Sequence, residues 1–224
     1  MAALTNQDLL YRVPIFSELS EYQLAQLAST VTKQRVKRGE LIVEQGKKSN
    51  TLFIILSGRA RVIMTDRRAK EVILASLAPG DYIGEISLID GKSHSASVVA
   101  EVQTDLLVLG QAEFNQCLAE NHATANSVIK VLASRLRNAS ETISSLALMD
   151  VYGRVAKVLV GASKPGDANQ LLIKEKITRQ DLAKMVGASR EMVSRVMRDF
   201  EAQGFIKTRA DGSMELTERR ACAR

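Results

Sequence analysis

Four polar residues in the last quarter of the chain have the types and spacing needed to read the edges of DNA bases. Arg190, Glu191, Ser194 and Arg195 fall on one side of a helical pattern whose other side is apolar. Arginine can donate two hydrogen bonds to guanine, and glutamate can accept one from the amino group of cytosine. The alternative is an ordinary amphipathic helix with a solvated charged face.

Two helix starts separated by a short break position these four residues. Thr178 can cap a first helix, with Asp181 at the fourth position of a capping box, and Gly187 can end it in the left-handed conformation. Ser189 can cap a second helix. The apolar positions of that second helix share one face and are Val193, Val196, Met197 and Phe200. Two helices joined by a short turn containing glycine predict a helix-turn-helix.

The charge of the chain is concentrated in the same region. Residues 1–151 carry 16 Lys and Arg against 16 Asp and Glu, whereas residues 152–224 carry 15 against 9. A basic segment attached to a neutral one predicts a nucleic-acid partner on the basic side, here double-stranded DNA.

The composition argues against several other classes of protein. No apolar run approaches the roughly 20 residues of a membrane span, and the N-terminus lacks the pattern of a secretory signal, so we expect a cytoplasmic protein without a membrane partner. Cys117 and Cys222 have no metal-ligand spacing, and the two histidines are His94 and His122. We therefore expect no metal, haem or iron–sulfur cluster, and no enzyme such as a metal-dependent cupin.

Residues 31–109 have a different pattern, with short apolar runs separated by glycine turns. Such spacing predicts a β-sandwich or barrel. The stretch from Gly84 to Ala96 interrupts it with a glycine-led turn and a short helix. Backbone N–H groups at such a helix start can cradle a phosphate.

A long helix is predicted from about residue 123 to residue 148. Its apolar residues follow alternating steps of four and three, and are Ala125, Ile129, Leu132, Leu136, Ala139, Ile143 and Leu146. This pattern is a coiled-coil seam, which needs a partner helix, and the simplest partner is a second copy of the chain. The alternative is a helix packed only on its own domain.

The segment from Val186 to Arg195, together with Thr178, Arg179 and Gln180, closely resembles the helix-turn-helix of the cyclic AMP receptor protein family. The resemblance extends over nearly the whole chain. It implies that Thr178, Arg179 and Ser189 contact phosphates, and that the base-reading residues are Arg190, Glu191 and Arg195. The expected site is an inverted repeat resembling TGTGA, and RNA polymerase is an expected partner.

The same resemblance implies an α+β fold with three parts. Residues 1–110 would form a cyclic-nucleotide-binding β jelly roll that acts as a sensor. Residues 111–149 would form the dimerisation helix and hinge of a homodimer. Residues 150–224 would form a winged helix-turn-helix, in which Asp211 and Gly212 mark the hairpin turn of the wing.

Within the jelly roll, residues 84–96 match the phosphate-binding cassette of the family. The resemblance assigns Gly84 to the turn, Glu85 to the ribose hydroxyl and Ser95 to the phosphate. The family's phosphate-binding arginine is replaced by His94, at a cost of roughly 1.5–3 kcal/mol in binding.

A second departure lies on the long helix. The family has adjacent Thr and Ser there to contact adenine, and this chain has Ala139 and Ser140. The two departures leave three interpretations open: a regulator that responds to cyclic AMP, one that responds to cyclic di-GMP, and a DNA-binding protein that needs no ligand.

Overall fold

The computed structural model describes residues 5–165, 171–174, 176–209 and 213–217. The chain divides into two units, Met1–Arg137 and Asn138–Arg224. Each unit has hydrophobic core residues of its own.

Among the described residues of the first unit, eight antiparallel strands form two four-stranded sheets. In chain order they are β1 (Thr32–Val36), β2 (Leu41–Val43), β3 (Thr51–Ser57), β4 (Ala60–Thr65), β5 (Glu71–Leu77), β6 (Tyr82–Ile83), β7 (Ser97–Ala100) and β8 (Thr104–Gly110). One sheet has the strand order β1-β8-β3-β6, and the other has the order β2-β7-β4-β5. This two-sheet arrangement confirms the jelly roll that the sequence predicts.

Alternate residues of the first sheet face two different cores, as the pleat of a strand requires. Ile55 and Leu106 lie in a cluster to which all eight strands contribute, which places that core between the two sheets. Their chain neighbours Ile54 and Leu107 lie in a second cluster with residues of the helices. The first sheet is therefore covered on both faces.

The helices of the first unit surround this second cluster. They are α1 (Asn6–Tyr11), a 3₁₀ helix (Pro14–Phe16), α2 (Glu21–Thr30), α3 (Glu85–Asp90), α4 (Gln111–Glu120) and the first part of α5 (His122–Leu148). Phe16 and Phe114 are fully buried there. The long helix begins and ends within one residue of the expected positions.

The described part of the second unit contains the end of α5 and three further helices beside a small antiparallel sheet. The helices are α6 (Val151–Ala162), α7 (Arg179–Val186) and α8 (Arg190–Ala202). The strands are β9 (Lys164–Pro165), β10 (Leu171–Ile173), β11 (Ile206–Thr208) and β12 (Met214–Leu216). The strand order is β11-β12-β10-β9. β11 pairs with β12 in the hairpin expected for a wing, but its predicted turn residues Asp211 and Gly212 lie outside the described residues, as does Cys222.

Candidate ligand pocket and nucleic-acid interface

The start of α3 is fixed by a glycine that no other residue can replace without strain. Gly84 has φ +101° and caps α3. A Cβ atom built on Gly84 would lie 2.6 Å from the carbonyl oxygen of Thr51, which is much closer than such atoms approach. The backbone conformation and the close approach together account for glycine at the predicted turn.

Glu85 follows Gly84 and is almost completely buried. Its side chain is 1% exposed, and its carboxylate forms an ion pair with the guanidinium of Arg135 on α5. Burial raises the pKa of Glu85 above its usual value, and the nearby Arg135 opposes that rise. The carboxylate that was expected to accept from a ribose hydroxyl therefore already has a partner.

Arg135 makes two more contacts at this place. Its Nη2 donates to the backbone oxygen of Tyr82 over 2.8 Å, and the guanidinium carbon lies 5.3 Å from the centre of the Tyr82 ring. The Tyr82 hydroxyl is buried and has no hydrogen-bond partner among the described residues. Burial and the charge of Glu85 raise the pKa of Tyr82 to about 12, so the phenol stays protonated at neutral pH.

His94 is also turned inward and is held by hydroxyl groups on both sides. Its Nε2 lies 2.8 Å from Ser49 Oγ, and its Nδ1 lies 3.2 Å from Ser87 Oγ. The residue is 8% exposed, and burial lowers the pKa of the imidazole below its usual 6.5. His94 is therefore neutral at pH 7, with both ring nitrogens engaged.

Four of the six predicted ligand residues come together in one small cavity. Gly84, Glu85, His94 and Ser95 line it with Arg135, and its volume is about 80 Å³. Pockets for drug-sized ligands measure about 300–1,000 Å³, so the cavity of this single chain is smaller than such a pocket. The other two predicted residues, Ala139 and Ser140, lie on α5 in the second unit and are exposed.

Arg135 was not identified from the sequence, although its contacts dominate this cavity. It is separated from Glu85 by 50 residues, so no local motif connects the two. The sequence feature that could have identified Arg135 as a pocket residue is its position on α5. It lies four residues before Ala139, on the same side of the helix.

The helix-turn-helix has both of the capped starts that the sequence predicts. The amide of Asp181 donates to the Thr178 hydroxyl over 3.0 Å, and the amide of Met192 donates to the Ser189 hydroxyl over 3.2 Å. Gly187 ends α7 with φ +65°, in the left-handed conformation that glycine adopts at the lowest cost.

These local features place the predicted base-reading residues at the exposed start of α8. Arg190, Glu191 and Arg195 are exposed, and Ser194 is half-buried beside them. The backbone N–H of Glu191 and the Ser189 hydroxyl lower the pKa of the Glu191 carboxyl. It is therefore ionised at neutral pH, as an acceptor for a base amino group must be.

The residues expected to contact phosphates differ in how free their side chains are. Thr178 and Ser189 are exposed, and so is Gln180, which was expected to contact DNA without a more specific role. Arg179 is half-buried, and its Nη2 lies 3.5 Å from Glu201 Oε1, which also accepts a hydrogen bond from Thr208. Its Nη1 is buried and has no hydrogen-bond partner within the described part of the chain. Arg179 must therefore turn away from Glu201 to reach a phosphate.

The described residues contain neither a metal site nor a membrane-spanning helix. No group of three or more His, Cys, Asp or Glu side chains among them could hold a metal ion. No described helix has the length and the apolar character that crossing a membrane requires.

Two protein-family models match the chain. Residues 33–121 match the model of the cyclic nucleotide-binding domain, and residues 153–221 match that of the Crp-like helix-turn-helix domain. The first match covers most of the jelly roll together with α4, and the second covers α6 to β12.

The chain is also similar to curated proteins and to a solved structure. It is 35% identical over 168 residues to the cAMP-activated global transcriptional regulator CRP of Salmonella typhimurium, covering 74% of this chain and 80% of the relative. It is 31% identical over 189 residues to the cAMP-activated global transcriptional regulator Vfr of Pseudomonas aeruginosa, covering 82% and 88%. The c-di-GMP responsive global regulator CLP of Xanthomonas campestris has the same fold, with a TM-score of 0.74 at 22% identity, covering 89% of this chain and all of that one.

Proposed function

Because the chain belongs to the CRP–FNR family of DNA-binding transcription regulators, and not to a family of enzymes, we propose that it binds an inverted TGTGA-like repeat as a homodimer. We further propose that a cyclic nucleotide controls this binding. The observation that carries the proposal is the start of α8, where a capped helix presents Arg190, Glu191 and Arg195 to solvent.

The proposed contacts follow from the chemistry of these side chains. Arg190 and Arg195 offer the fork that matches guanine O6 and N7, and the ionised Glu191 accepts from a cytosine amino group. Ser194 lies beside them and can bond to either kind of base. The side chains assigned to the phosphates lie at the starts of α7 and α8 and are Thr178, Arg179 and Ser189.

The apolar face of α5, which is exposed over much of its length, supports the homodimer. We call this face the α5 stripe, and it consists of Ala125, Ile129, Leu132, Leu136, Ala139, Ile143 and Leu146. Within the single chain, Ile129 is 61% exposed, Leu136 is 69% exposed and Ile143 is 66% exposed. Large apolar side chains at heptad spacing are stabilised by a second helix, and a symmetric dimer supplies one. Such a dimer places two recognition helices about 34 Å apart, one turn of DNA.

Cyclic AMP is the first ligand to test, because the curated relatives at 35% and 31% identity carry it in their names. The cassette residues Gly84, Glu85 and Ser95 support the same choice, and Ser140 keeps a hydroxyl on α5. Cyclic di-GMP is the second, and its support is a likeness of fold to one responsive protein.

A ligand-independent regulator is a separate candidate, favoured by the small volume of the pocket and by its internal contacts. The cavity measures about 80 Å³, Glu85 is paired with Arg135, and His94 is bonded to two serines. Of the buried polar side-chain atoms that line the cavity, the Tyr82 hydroxyl is the one without a hydrogen-bond partner among the described residues.

In the ligand-controlled form, the mechanism is a shift between two arrangements of the dimer. The ligand favours the arrangement that spaces the recognition helices correctly, and it does so only by its difference in affinity for the two. RNA polymerase would be a further partner of the regulator when the regulator is bound to DNA. Both partners lie in the cytoplasm, so we expect the protein there as well.

The test is DNA binding measured by fluorescence anisotropy on an inverted TGTGA repeat and on a scrambled duplex, at one fixed salt concentration. Samples without ligand, with cyclic AMP and with cyclic di-GMP are compared. Tenfold tighter binding with one nucleotide supports control by that nucleotide. Tight binding that neither nucleotide changes supports the ligand-independent form, and equal affinity for both duplexes overturns the proposed recognition site.

A further inference from the structure

A cleft of about 780 Å³ lies in the first unit, at a different place from the small cavity beside Gly84. It is lined by residues of α1, of strands β1, β3 and β8, and of the turn at Pro79 and Gly80. Among the described residues, none lines both the cleft and the small cavity. Pockets for small ligands measure about 300–1,000 Å³, so the cleft has room for one.

Part of the lining is apolar and comes from α1, the residue pair after it, and β3. Val13 is 2% exposed and Ile55 is 1% exposed, which makes this part of the cleft a continuation of the core. Leu9 and Leu56 are half-buried and also line it. Covering the exposed part of these two leucines removes apolar surface from water, which favours a ligand with a hydrocarbon body.

The rest of the lining carries more positive than negative charge. Among the described lining residues, the cations are Arg12, Lys33 and Arg35, and the anion is Asp105. Arg35 Nε donates to Asp105 Oδ1 over 2.6 Å, and the Ser57 hydroxyl donates to Asp105 Oδ2 over 3.0 Å. The hydrogen bond from Arg35 also lowers the pKa of Asp105, so this carboxyl is ionised and its charge is balanced by Arg35. Two positive charges are left for a ligand.

Arg12 is the cation best placed to bind the head group of such a ligand. It is exposed and follows α1 directly, so it stands beside the apolar residues of the same helix. Its guanidinium interacts electrostatically with Asp8, but the Asp8 carboxylate already accepts from the amide and the hydroxyl of Thr5. A guanidinium has five donors and can bind a carboxylate through two of them at once.

We propose that this cleft is a second small-molecule site of the first unit and takes an acyl chain that ends in a carboxylate. The carboxylate lies against Arg12 and Lys33, and the hydrocarbon chain lies against Leu9 and Leu56. The surplus of positive charge disfavours a cation, and the apolar lining gives no advantage to a small inorganic anion. The proposal does not depend on control by a cyclic nucleotide, because the two sites have different residues.

The test titrates the full chain with decanoate at pH 7.5, below the concentration at which decanoate forms micelles, in an isothermal calorimeter. Decanol has the chain without the charge, and acetate has the charge without the chain. Decanoate is expected to bind at least threefold more tightly than decanol and at least tenfold more tightly than acetate. Lengthening the probe from hexanoate to octanoate and to decanoate should tighten binding at each step, because each added methylene buries apolar surface.

Variants of the cationic residues locate the bound carboxylate. Arg12→Gln should weaken decanoate binding at least threefold and leave decanol binding unchanged, and Arg12→Gln/Lys33→Gln should bind decanoate no more tightly than decanol. Arg38→Gln is the matched control, since Arg38 is exposed in the turn between β1 and β2 and does not line the cleft. It removes the same charge and should leave both affinities as they are. Melting curves show that each variant is folded.

Several results would overturn the proposal. They are the absence of decanoate binding, an equal affinity for decanoate and decanol or for decanoate and acetate, and an equal loss in Arg12→Gln and Arg38→Gln. A peptide of six glutamates is a further probe. If it binds more tightly than decanoate, the cleft docks an acidic protein segment and not an acyl chain. None of these results changes the DNA-binding and nucleotide proposals, which are judged on the anisotropy measurement.

Discussion

We expect the His94 ring to couple the stability of the first unit to pH. Burial lowers the pKa of folded His94 below 6.5, while the unfolded chain takes up a proton near 6.5. The unfolded state therefore binds more protons as the pH falls below 6.5, and the contribution of His94 to stability is present above this pH and lost below it. The coupling is at most about 1.4 kcal/mol per pH unit for a single group.

We expect His94→Gln to reduce this acid sensitivity. Glutamine keeps a donor and an acceptor for Ser49 and Ser87 but does not titrate. Calorimetric melting at pH 7.5 and pH 5.5 should show a smaller loss of melting temperature in the variant than in the wild type. An equal loss in both would show that His94 does not carry the coupling.

Arg190 is expected to determine the preference for one guanine in each half-site. It is the first residue of α8 and is exposed. Arg190→Ala should cost about 1–3 kcal/mol of discrimination at that base pair, because the alanine side chain offers no donor to guanine. Selection from a duplex library with a randomised half-site measures the preference directly.

Arg198 provides a matched control on the same helix. It is exposed, lies two turns after Arg190, and directs its Nε toward the Ser194 carbonyl at 3.4 Å. We expect Arg198→Ala to leave the base preference unchanged. If Arg190→Ala also selects the wild-type sequence, the base-reading role is wrong.

The roles at the two sites differ in how far the sequence could predict them. The start of α8 is determined by residues within a few positions of each other, namely Ser189, Gly187 and the apolar face, so its exposure could be predicted. The ion pair of Glu85 with Arg135 joins residues 50 positions apart, and the hydroxyl of Ser49 meets His94 across 45 positions. Such contacts depend on the packing of the jelly roll, which no local pattern specifies.

At the scale of elements, the α5 stripe predicts the state of association. Ile143 is 66% exposed within one chain, and an aspartate in its place would bring a charge into the proposed seam between two helices. We expect Ile143→Asp to convert the dimer to monomer at micromolar concentration. Sedimentation equilibrium measures the change in mass.

Asn138 is the control position for this change. It is exposed and lies on a different side of α5 from the stripe. Asn138→Asp adds the same charge there and is expected to leave the dimer intact. A wild-type chain that sediments as a monomer would refute the dimer, and so would an Ile143→Asp variant that sediments as the wild type does.

The elements also show which parts of a fold are encoded locally. The periodicity of α5 and the caps of α7 and α8 predict these helices closely. The order of the strands follows from long-range pairing, such as β1 with β8, in which Thr32 pairs with Val108. The short apolar runs predict only a sandwich or barrel. The jelly-roll topology could be predicted from the family resemblance alone.

At the scale of the whole molecule, separate cores predict separate unfolding events. Leu107 is fully buried in a core of the first unit, and Leu159 is fully buried in the core of the second. Replacing either residue with alanine removes packing worth about 2–5 kcal/mol. We expect two calorimetric transitions, with Leu107→Ala lowering one and Leu159→Ala lowering the other.

If the protein shows a single transition, and if Leu107→Ala and Leu159→Ala both shift it, the two units unfold together. In that case, a loss of stability in the sensor unit would also reduce the fraction of folded DNA-binding units. The two-transition result would instead allow mutations of the pocket to be studied without unfolding the helix-turn-helix.

The turn at Gly84 has a consequence for how such a sensor evolves. The Thr51 carbonyl leaves no room for a Cβ at this position, so a mutation there damages the backbone that presents the cassette. Positions 94 and 135 contribute side chains, and a mutation at either changes the chemistry of the cavity while the turn is inherited intact. A lineage of such proteins can therefore change the chemistry of the cavity at positions 94 and 135 while keeping the turn at Gly84.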